Sequence, residues 1–325
     1  MSDPAVITCA ISGAIANREQ CPAIPYTPAE YAAEARRIVD EGGVQIHIHA
    51  RRPDGAPSYE IEDFAAIRAA IIAEVGDAAI INFSTGTVGV PVQKRVAYLE
   101  ACRPEVAALN MGSLNYAKYS AARREFVFSF VFANPFEEII ELLREMRRLG
   151  IKPEHECFDI GHVASLDPLV DMGLLDAPLH ADFVMGVVGG IPATARNLAA
   201  MADNMPTIQG GAETQGVSHH WGVIGIGRSQ WTMVAAALTL GGSIRVGLED
   251  NFYLPDGTMA RSNGELIAKA CQLAQDCGRR PATVQEARSL LGIGRAGAGS
   301  APAAIGRAES APAAIGRPGA RSAPA

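Results

Sequence analysis

Short β-like runs alternate with amphipathic helical segments from residue 6 to residue 293, and this alternation allows few architectures. A chain in which each strand is followed by a helix predicts βα units and a parallel sheet. About eight such units can be distinguished along the chain. Eight repeats favour a closed (β/α)8 TIM barrel over an open doubly wound sheet. The expected fold class is therefore α/β, with a catalytic barrel domain over residues 1–293.

The predicted strands are short apolar runs bounded by turns. They are Val6–Ser12, Val44–Ala50, Ala79–Ser84, Val106–Met111, Glu156–Ile160, Ala181–Val187, Trp221–Ile226 and Ser243–Glu249. The predicted helices are Pro28–Glu41, Ile61–Val75, Pro91–Cys102, Pro135–Leu149, Ala193–Met201 and Gln230–Leu240. The alternating phenylalanines at 126, 128, 130 and 132 predict a short extra strand, which either forms a subunit contact or covers one barrel end.

Residues 294–325 differ in composition from the rest of the chain. They consist almost entirely of Ala, Gly, Pro, Ser and Arg, with Ile305 and Ile315 as the large apolar residues. Such a segment cannot offset the entropy cost of ordering, so we expect a disordered C-terminal tail. Its repeat of SAPAAIGR, at 300–307 and 310–317, is typical of low-complexity sequence.

Charge and composition exclude two classes of partner. The chain has 28 Lys and Arg against 35 Asp and Glu, so it lacks the basic surplus that neutralises nucleic-acid phosphates. Its apolar stretches are much shorter than the roughly 20 residues that cross a bilayer. The N-terminus shows no secretory leader pattern, and the six cysteines form no CxxC pair. We therefore expect a cytoplasmic protein with reduced thiols and no catalytic cysteine.

His47 and His49 are the strongest chemical signal in the chain. In a strand, residues i and i+2 point to the same face, which brings two imidazoles together. The strand that carries them ends at the Arg51–Gly55 turn, so the pair lies at a C-terminal strand end, where barrel active sites are built. A lone HxH is common without a metal, but this position favours metal ligands.

The second signal is RVGLEDN at 245–251, a strand that ends in two carboxylates. By the period of two, Arg245 and Glu249 share one face. Glu249 can then complete a His₂Glu zinc site with an open position, and Arg245 can bind a substrate carboxylate. Asp250 is left at the rim as a general base. Without the histidine pair, a helix N-cap or a surface salt bridge would be the simpler interpretation.

Two kinds of segment are candidates for ligand binding. Gly225, Gly227 and Arg228 lie at the end of the seventh strand and directly after it, where barrels often bind phosphate. They suit a phosphate-bearing cofactor or an ordinary tight turn equally well. The segments 82–87 and 110–115 place small polar groups at the ends of strands three and four. These groups either stabilise an oxyanion or satisfy turn backbone groups.

Several motifs together resemble the β-keto acid cleavage enzyme family. They are Ile7–Ala14, HIHAR at 47–51, FSTG at 83–86, KPEHECFDIGH at 152–162 and RVGLEDN at 245–251. The resemblance runs from residue 6 to about residue 291 and excludes the tail. It implies a zinc-dependent (β/α)8 barrel, usually a homotetramer with one Zn²⁺ per subunit, although other divalent metals are alternatives. Members convert a β-keto acid and acetyl-CoA, the co-substrate, into acetoacetate and the CoA ester of the acyl remainder.

The resemblance also implies roles for single residues. The metal ligands it implies are His47, His49 and Glu249, in agreement with the reasoning from strand geometry. The other site residues it implies are Asp250 as base, Arg245 as carboxylate-binding arginine, Ser84 as active-site serine, and Glu154 or else Glu156 as a further acidic residue.

One position departs from the family pattern, and two other functions remain open. A member that acts on an amino-substituted acid has an acidic residue where this chain has Ile15, and an apolar side chain cannot pair with an ammonium group. We therefore expect an acyl tail that is uncharged or apolar. The alternatives are an amidohydrolase-like metal hydrolase, whose HxH belongs to the first strand, and a non-catalytic CoA-binding barrel, which needs no metal.

Overall fold

Eight parallel strands form a closed barrel in a computed structural model that describes residues 3–206 and 219–294. The strands are β1 Ile7–Ala10, β2 Gln45–Ile48, β3 Ile80–Ser84, β4 Val106–Asn110, β5 Lys152–Cys157, β6 His180–Met185, β7 His220–Gly225 and β8 Ser243–Val246. Their order around the barrel follows the sequence, and β8 pairs with β1 to close it. The predicted TIM barrel is confirmed.

Helices follow the strands and form the outer layer. They are α1 Pro28–Asp40, α2 Ile61–Val75, α3 Val92–Cys102, α4 Phe136–Leu149, α5 Ile160–Ala164, α6 Leu166–Asp171, α7 Ala195–Asp203, α8 Gln230–Thr239, α9 Asn263–Asp276 and α10 Val284–Leu291. The six predicted helices are confirmed to within about two residues at each end. Helices α5, α6, α9 and α10 were not among the predictions.

Two predicted strands are placed wrongly. The fifth begins at Lys152 and ends at Cys157, because Asp159 accepts a hydrogen bond from the His162 N–H (3.0 Å) and starts α5 instead. The eighth ends at Val246 rather than at Glu249, because Gly247 has a φ of +146° and turns the chain. A side chain does not fit there, since an added Cβ would lie 2.1 Å from the Ala10 carbonyl oxygen.

Alternate residues of each strand face either the helices or the barrel interior. On β3, Phe83 points outward and packs against Phe64 of α2 and Tyr98 of α3, whose rings stack 4.1 Å apart. Burial of a side chain of this size contributes about 1.5–3 kcal/mol to stability. Asn82 and Ser84, on the other face of the strand, therefore point into the barrel.

An apolar layer closes the N-terminal end of the barrel. Its residues are Val6 and Val44, which directly precede β1 and β2, Ile80 and Val106, which begin β3 and β4, and Ala282, Ala287 and Leu291 from the chain around α10. The two-residue strands Pro4–Ala5 and Arg280–Pro281 pair beside this layer. The C-terminal end is consequently the open one, as in other barrel enzymes.

An antiparallel hairpin follows β4 at the C-terminal end. Its strands are Leu114–Ser120 and Glu125–Phe132, so the extra strand predicted from the phenylalanines is confirmed, whereas its partner strand was not predicted. One face carries Phe132, which is buried against the barrel, while Phe126 and Val131 are exposed. A subunit contact through this hairpin stays a prediction.

The predicted tail, apart from Gly294, lies outside the described residues. Within the part of the chain that the structure describes, no helix is both long and apolar enough to span a membrane.

Candidate active site

The two histidines meet at the barrel mouth, as the sequence predicts. His47 lies in β2 and His49 directly follows it, and their rings pack edge to face with centroids 5.2 Å apart. The strand end is fixed because the His49 carbonyl accepts hydrogen bonds from the hydroxyls of Tyr31 (2.7 Å) and Ser12 (3.1 Å). His47 is buried, whereas the His49 side chain is partly open to solvent.

Glu249 reaches the histidines from a turn. Its Oε1 atom lies 3.5 Å from His49 Nε2 and 3.8 Å from His47 Nε2. The turn packs against the loop after β1, where Gly13 has a φ of +61° and an added Cβ would lie 2.7 Å from the Glu249 Cγ. Glycine at this position therefore leaves room for the Glu249 side chain.

Arg245 joins three carboxylates inside the mouth. Its guanidinium donates to both oxygens of Asp250 (2.9 and 3.0 Å), to Glu249 Oε1 (2.6 Å) and to Glu156 Oε1 (2.9 Å). The arginine is only 3% exposed and Asp250 is 5% exposed. The expectation that Asp250 lies at the rim is therefore wrong, because the bidentate pair with Arg245 draws it into the barrel.

Burial and charge set the protonation of these groups. Burial raises the pKa of Asp250 to about 7. The positive charge of Arg245 lowers this pKa, and the negative charge of Glu249 raises it further. Burial also acts to raise the pKa of Glu249, but Arg245 and the two histidines outweigh it and hold that pKa well below its usual range. Burial and the Arg245 charge hold the pKa of His47 well below 6.5, so its ring is neutral and suited to bind a metal.

The residues at this mouth fit a divalent metal. The ligand atoms of His47, His49 and Glu249 all lie within 4.8 Å of one another. Ligands about 2.0–2.1 Å from a tetrahedral zinc ion lie about 3.3–3.5 Å apart, close to the two contacts of Glu249 Oε1 with the histidines. Glu249 Oε2 is buried and has no hydrogen-bond partner within residues 3–206 and 219–294. A cation bound by the Glu249 carboxylate would also satisfy this oxygen.

Of the two candidate glutamates, Glu156 contacts Arg245. Glu154 lies two residues earlier on β5 and deeper in the barrel, where its Oε2 accepts hydrogen bonds from the side chains of Gln45 (2.9 Å) and Asn82 (2.6 Å). The sequence left this choice open because both glutamates share one face of the strand.

Ser84 ends β3 and is buried at the same end of the barrel. Its carbonyl accepts from the Tyr98 hydroxyl (2.8 Å), and its Oγ accepts from the Gly86 N–H (3.1 Å). Because Oγ is the acceptor in its contact with the Gly86 N–H, the hydroxyl proton is available to a ligand at the mouth.

The loop after β7 is suited to bind an anion through a cationic side chain rather than through a group of backbone N–H groups. Gly225 packs against α8, since an added Cβ would lie 2.6 Å from the Gln230 Cα. The Gly227 N–H already donates to the Asp250 carbonyl (2.8 Å), which ties the two loops together. Arg228 is exposed and forms no ion pair within the part of the chain that the structure describes.

Tyr116 is a mouth residue that the sequence analysis missed. It lies in the hairpin, where its ring stacks on Phe130 at 5.4 Å and meets Phe132 edge to face. Burial, together with the charges of Glu249 and Asp250, raises its pKa to about 12, which indicates that it faces the charged cluster. Its signal in the sequence, a tyrosine in a polar stretch, was too weak to indicate a role.

Comparison with known proteins gives a consistent result. The profile of a family described as beta-keto acid cleavage enzyme matches residues 4–293. The chain is 36% identical over 290 residues to the 3-keto-5-aminohexanoate cleavage enzyme of Acetoanaerobium sticklandii, which covers 89% of this chain and 98% of that protein. It is 32% identical over 293 residues to the 3-oxoadipate:acetyl-CoA acetyltransferase of Cupriavidus necator, covering 90% of this chain and 96% of that one.

A solved structure supports the fold independently. The binary complex of ObcA with oxaloacetate superposes with a TM-score of 0.67, over 84% of this chain and 68% of that chain. The sequence identity is 22%, so the likeness is one of fold alone.

Proposed function

Because the chain belongs to the β-keto acid cleavage enzyme family, we propose that it condenses a β-keto acid with acetyl-CoA and cleaves the adduct to acetoacetate and a new acyl-CoA. It is an enzyme of the acyltransferase class that cleaves a carbon–carbon bond. The observation that carries the finer proposal is the charge cluster at the mouth, where Arg245 joins Asp250, Glu249 and Glu156, and Glu249 approaches both histidines.

The proposed reaction needs no nucleophile from the protein. Asp250 removes a proton from C2 of the β-keto acid, and this carbon attacks the acetyl carbonyl, so that CoA leaves as its thiolate. The thiolate then attacks the original keto carbon, and the bond from that carbon to C2 breaks. Acetoacetate takes back the proton, and the acyl remainder leaves as its CoA ester. This scheme agrees with the expectation that no cysteine is catalytic.

The chain's own residues bind and orient the substrate in this scheme. Arg245 is always protonated, and it is placed to pair with the substrate carboxylate once its ion pair with Asp250 is broken. The Ser84 hydroxyl donates to a substrate oxygen. A divalent metal held by His47, His49 and Glu249 would stabilise the negative charge that develops on the keto oxygen.

Arg228 is our candidate for the phosphates of CoA. Arg228 is exposed on the loop after β7, and a backbone hydrogen bond joins this loop to the Asp250 loop. A phosphate bound by Arg228 would therefore lie beside the reaction site. Gly225 and Gly227 shape this loop rather than contact the anion.

The acyl tail is proposed to be uncharged. Ile15 is 59% exposed on the loop that contacts Glu249 through Gly13, and the hairpin side of the mouth is aromatic, with Tyr116 and Phe132. Neither surface provides a charge to pair with an ammonium group.

Isotope exchange tests the function without knowledge of the natural substrate. Acetyl-CoA with carbon-13 in its acetyl group is incubated with unlabelled acetoacetate and the zinc-loaded protein, and mass spectrometry follows label in acetoacetate. We expect exchange that Asp250→Asn or a chelator abolishes and that the matched exposed variant Asp256→Asn retains. Hydrolysis of amides or lactones without CoA, in the absence of exchange, would instead support the hydrolase alternative, although here β1 precedes the HxH strand.

We assign catalysis to the barrel, residues 1–293, in a cytoplasmic homotetramer. The exposed hairpin residues Phe126, Val127 and Val131 are the candidate subunit contact. Light scattering on the wild type and on Val131→Lys tests this assignment, because a hairpin interface would be weakened by a buried charge.

A further inference from the structure

Below the proposed metal site, the barrel interior contains polar side chains instead of the usual branched aliphatic layers. Gln45, Asn82 and Glu154 are each 0% exposed. Burial of such groups costs about 1–3 kcal/mol each unless they are hydrogen-bonded. The reaction proposed above uses none of them directly, so their presence needs another explanation.

Asn82 lies beside His47 in the barrel wall. The two are register partners of neighbouring strands, and both side chains point inward. His47 turns Nε2 toward Glu249, so Nδ1 is its other nitrogen. The Nδ1 atom of His47 and the Oδ1 atom of Asn82 are both buried, and neither has a partner of standard hydrogen-bond geometry within the described residues. The two atoms are therefore a donor and an acceptor that suit each other.

Glu154 fixes which end of the Asn82 amide faces His47. The Asn82 amide nitrogen donates to Glu154 Oε2 at 2.6 Å, and the Gln45 amide nitrogen donates to the same oxygen at 2.9 Å. A flipped Asn82 would set its oxygen against the acceptor oxygen of Glu154, which is unfavourable. The Asn82 oxygen is consequently directed away from Glu154, where it remains available to His47.

We propose that Asn82, oriented by Glu154, accepts the Nδ1 proton of His47 and thereby fixes the tautomer and ring orientation that present Nε2 to the metal. This inference rests on the metal site of the proposed function. It makes Asn82 and Glu154 positioning residues, since neither touches the substrate.

Zinc affinity provides a readout that is separate from catalysis. Removal of a partner that orients a metal-bound histidine typically weakens metal affinity 10–100-fold. We expect such a loss of Zn²⁺ affinity in Asn82→Leu, measured by competition with a chromophoric chelator. The double variant Asn82→Asp/Glu154→Gln keeps an acceptor for the Nδ1 proton and again places an amide donor against an acceptor oxygen between positions 82 and 154, so it should stay within about three-fold of the wild type. The matched control is Asn134→Leu, a buried asparagine between the hairpin and α4 that lies outside the proposed site.

The tautomer can be observed directly in the unmutated protein. In the zinc-loaded chain with nitrogen-15 histidine, long-range proton–nitrogen spectra should show His47 protonated at Nδ1 and bound through Nε2. His47 bound through Nδ1 would overturn the inference, even if Asn82→Leu failed to fold. Equal zinc affinity of Asn82→Leu and Asn134→Leu would also overturn it. A wild type that binds no zinc would instead refute the metal site of the proposed function, and the inference would fall with it.

Discussion

Replacement of Arg245 by methionine removes the cation that joins three carboxylates at the barrel mouth, of which Asp250 and Glu156 are buried and Glu249 is partly exposed. The guanidinium makes four charge-assisted hydrogen bonds, two to Asp250 and one each to Glu249 and Glu156. Methionine approximately fills the same volume, so the packing loss is small. What remains is a cluster of carboxylates without a counter-charge, and breaking a buried pair in this way costs about 3–5 kcal/mol. We therefore expect Arg245→Met to lower the free energy of unfolding by about 4 kcal/mol.

Urea unfolding in the presence of a chelator measures this loss. With a slope of about 3 kcal/mol per molar urea, the midpoint would fall by about 1.3 M. The deficit should be larger at pH 8 than at pH 5.5, because carboxylates that have lost their counter-charge have raised pKa values in the folded variant. The folded variant then binds more protons than the unfolded chain, and its stability recovers as the pH falls.

Two comparisons separate the charge cluster from simple loss of an arginine. Arg95 is also buried, but it pairs with one partly exposed carboxylate, that of Glu138, so Arg95→Met should cost only about 1 kcal/mol. Adding Glu156→Gln to Arg245→Met should recover stability, since it removes one of the uncompensated charges, with a coupling of about 0.5–3 kcal/mol. A loss below about 1 kcal/mol for Arg245→Met, or strict additivity in the double variant, would refute the reasoning.

Three further outcomes follow from single positions. Gly13→Ala should weaken zinc binding about ten-fold, measured by chelator competition, because the new Cβ displaces the ligand Glu249. Gly76→Ala, at the same φ of +61° but with nothing within 4 Å of the new Cβ, should leave zinc binding unchanged. Equal effects of the two variants would contradict this reasoning. Burial holds the pKa of His155 at about 3, so its contribution to stability is complete above about pH 6.5 and is lost as the pH falls toward 3. His155→Gln should therefore reduce the loss of unfolding free energy between pH 7.5 and pH 5 by about 2 kcal/mol in urea titrations, and an unchanged pH dependence would show that another group is responsible. Ile15→Glu should raise kcat/KM for amino-substituted β-keto acids relative to kcat/KM for alkyl ones. An unchanged ratio would show that the loop after β1 does not contact the acyl tail of the substrate.

Local periodicity accounts for what could be predicted from the sequence. The repeated βα pattern indicated the barrel, because period-two runs and helical periods are properties of neighbouring residues. Helix α2, Ile61–Val75, was predicted to the residue for this reason. The HxH pair was also predictable, since residues two positions apart on one strand place their side chains on the same face.

Features that depend on contacts between distant residues could not be predicted. The burial of Asp250 depends on Arg245 and on the loop at Gly227, which closes over it. The partner strand of the hairpin, Leu114–Ser120, carries little apolar periodicity and is defined by its pairing.

The two glutamates of β5 show where the sequence by itself stopped and the tertiary structure decided. Strand alternation determined that Glu154 and Glu156 share the inward face, which any reader of the sequence can infer. Their depth in the barrel decides their partners, so that Glu156 meets Arg245 from β8 and Glu154 meets Gln45 and Asn82 from β2 and β3. These partners lie on strands two or three positions away from β5, and their side chains meet across the interior because the sheet curls into a barrel. The two-residue alternation of a strand determines which side chains point into the barrel, whereas closure of the barrel determines which of these side chains meet one another in the interior.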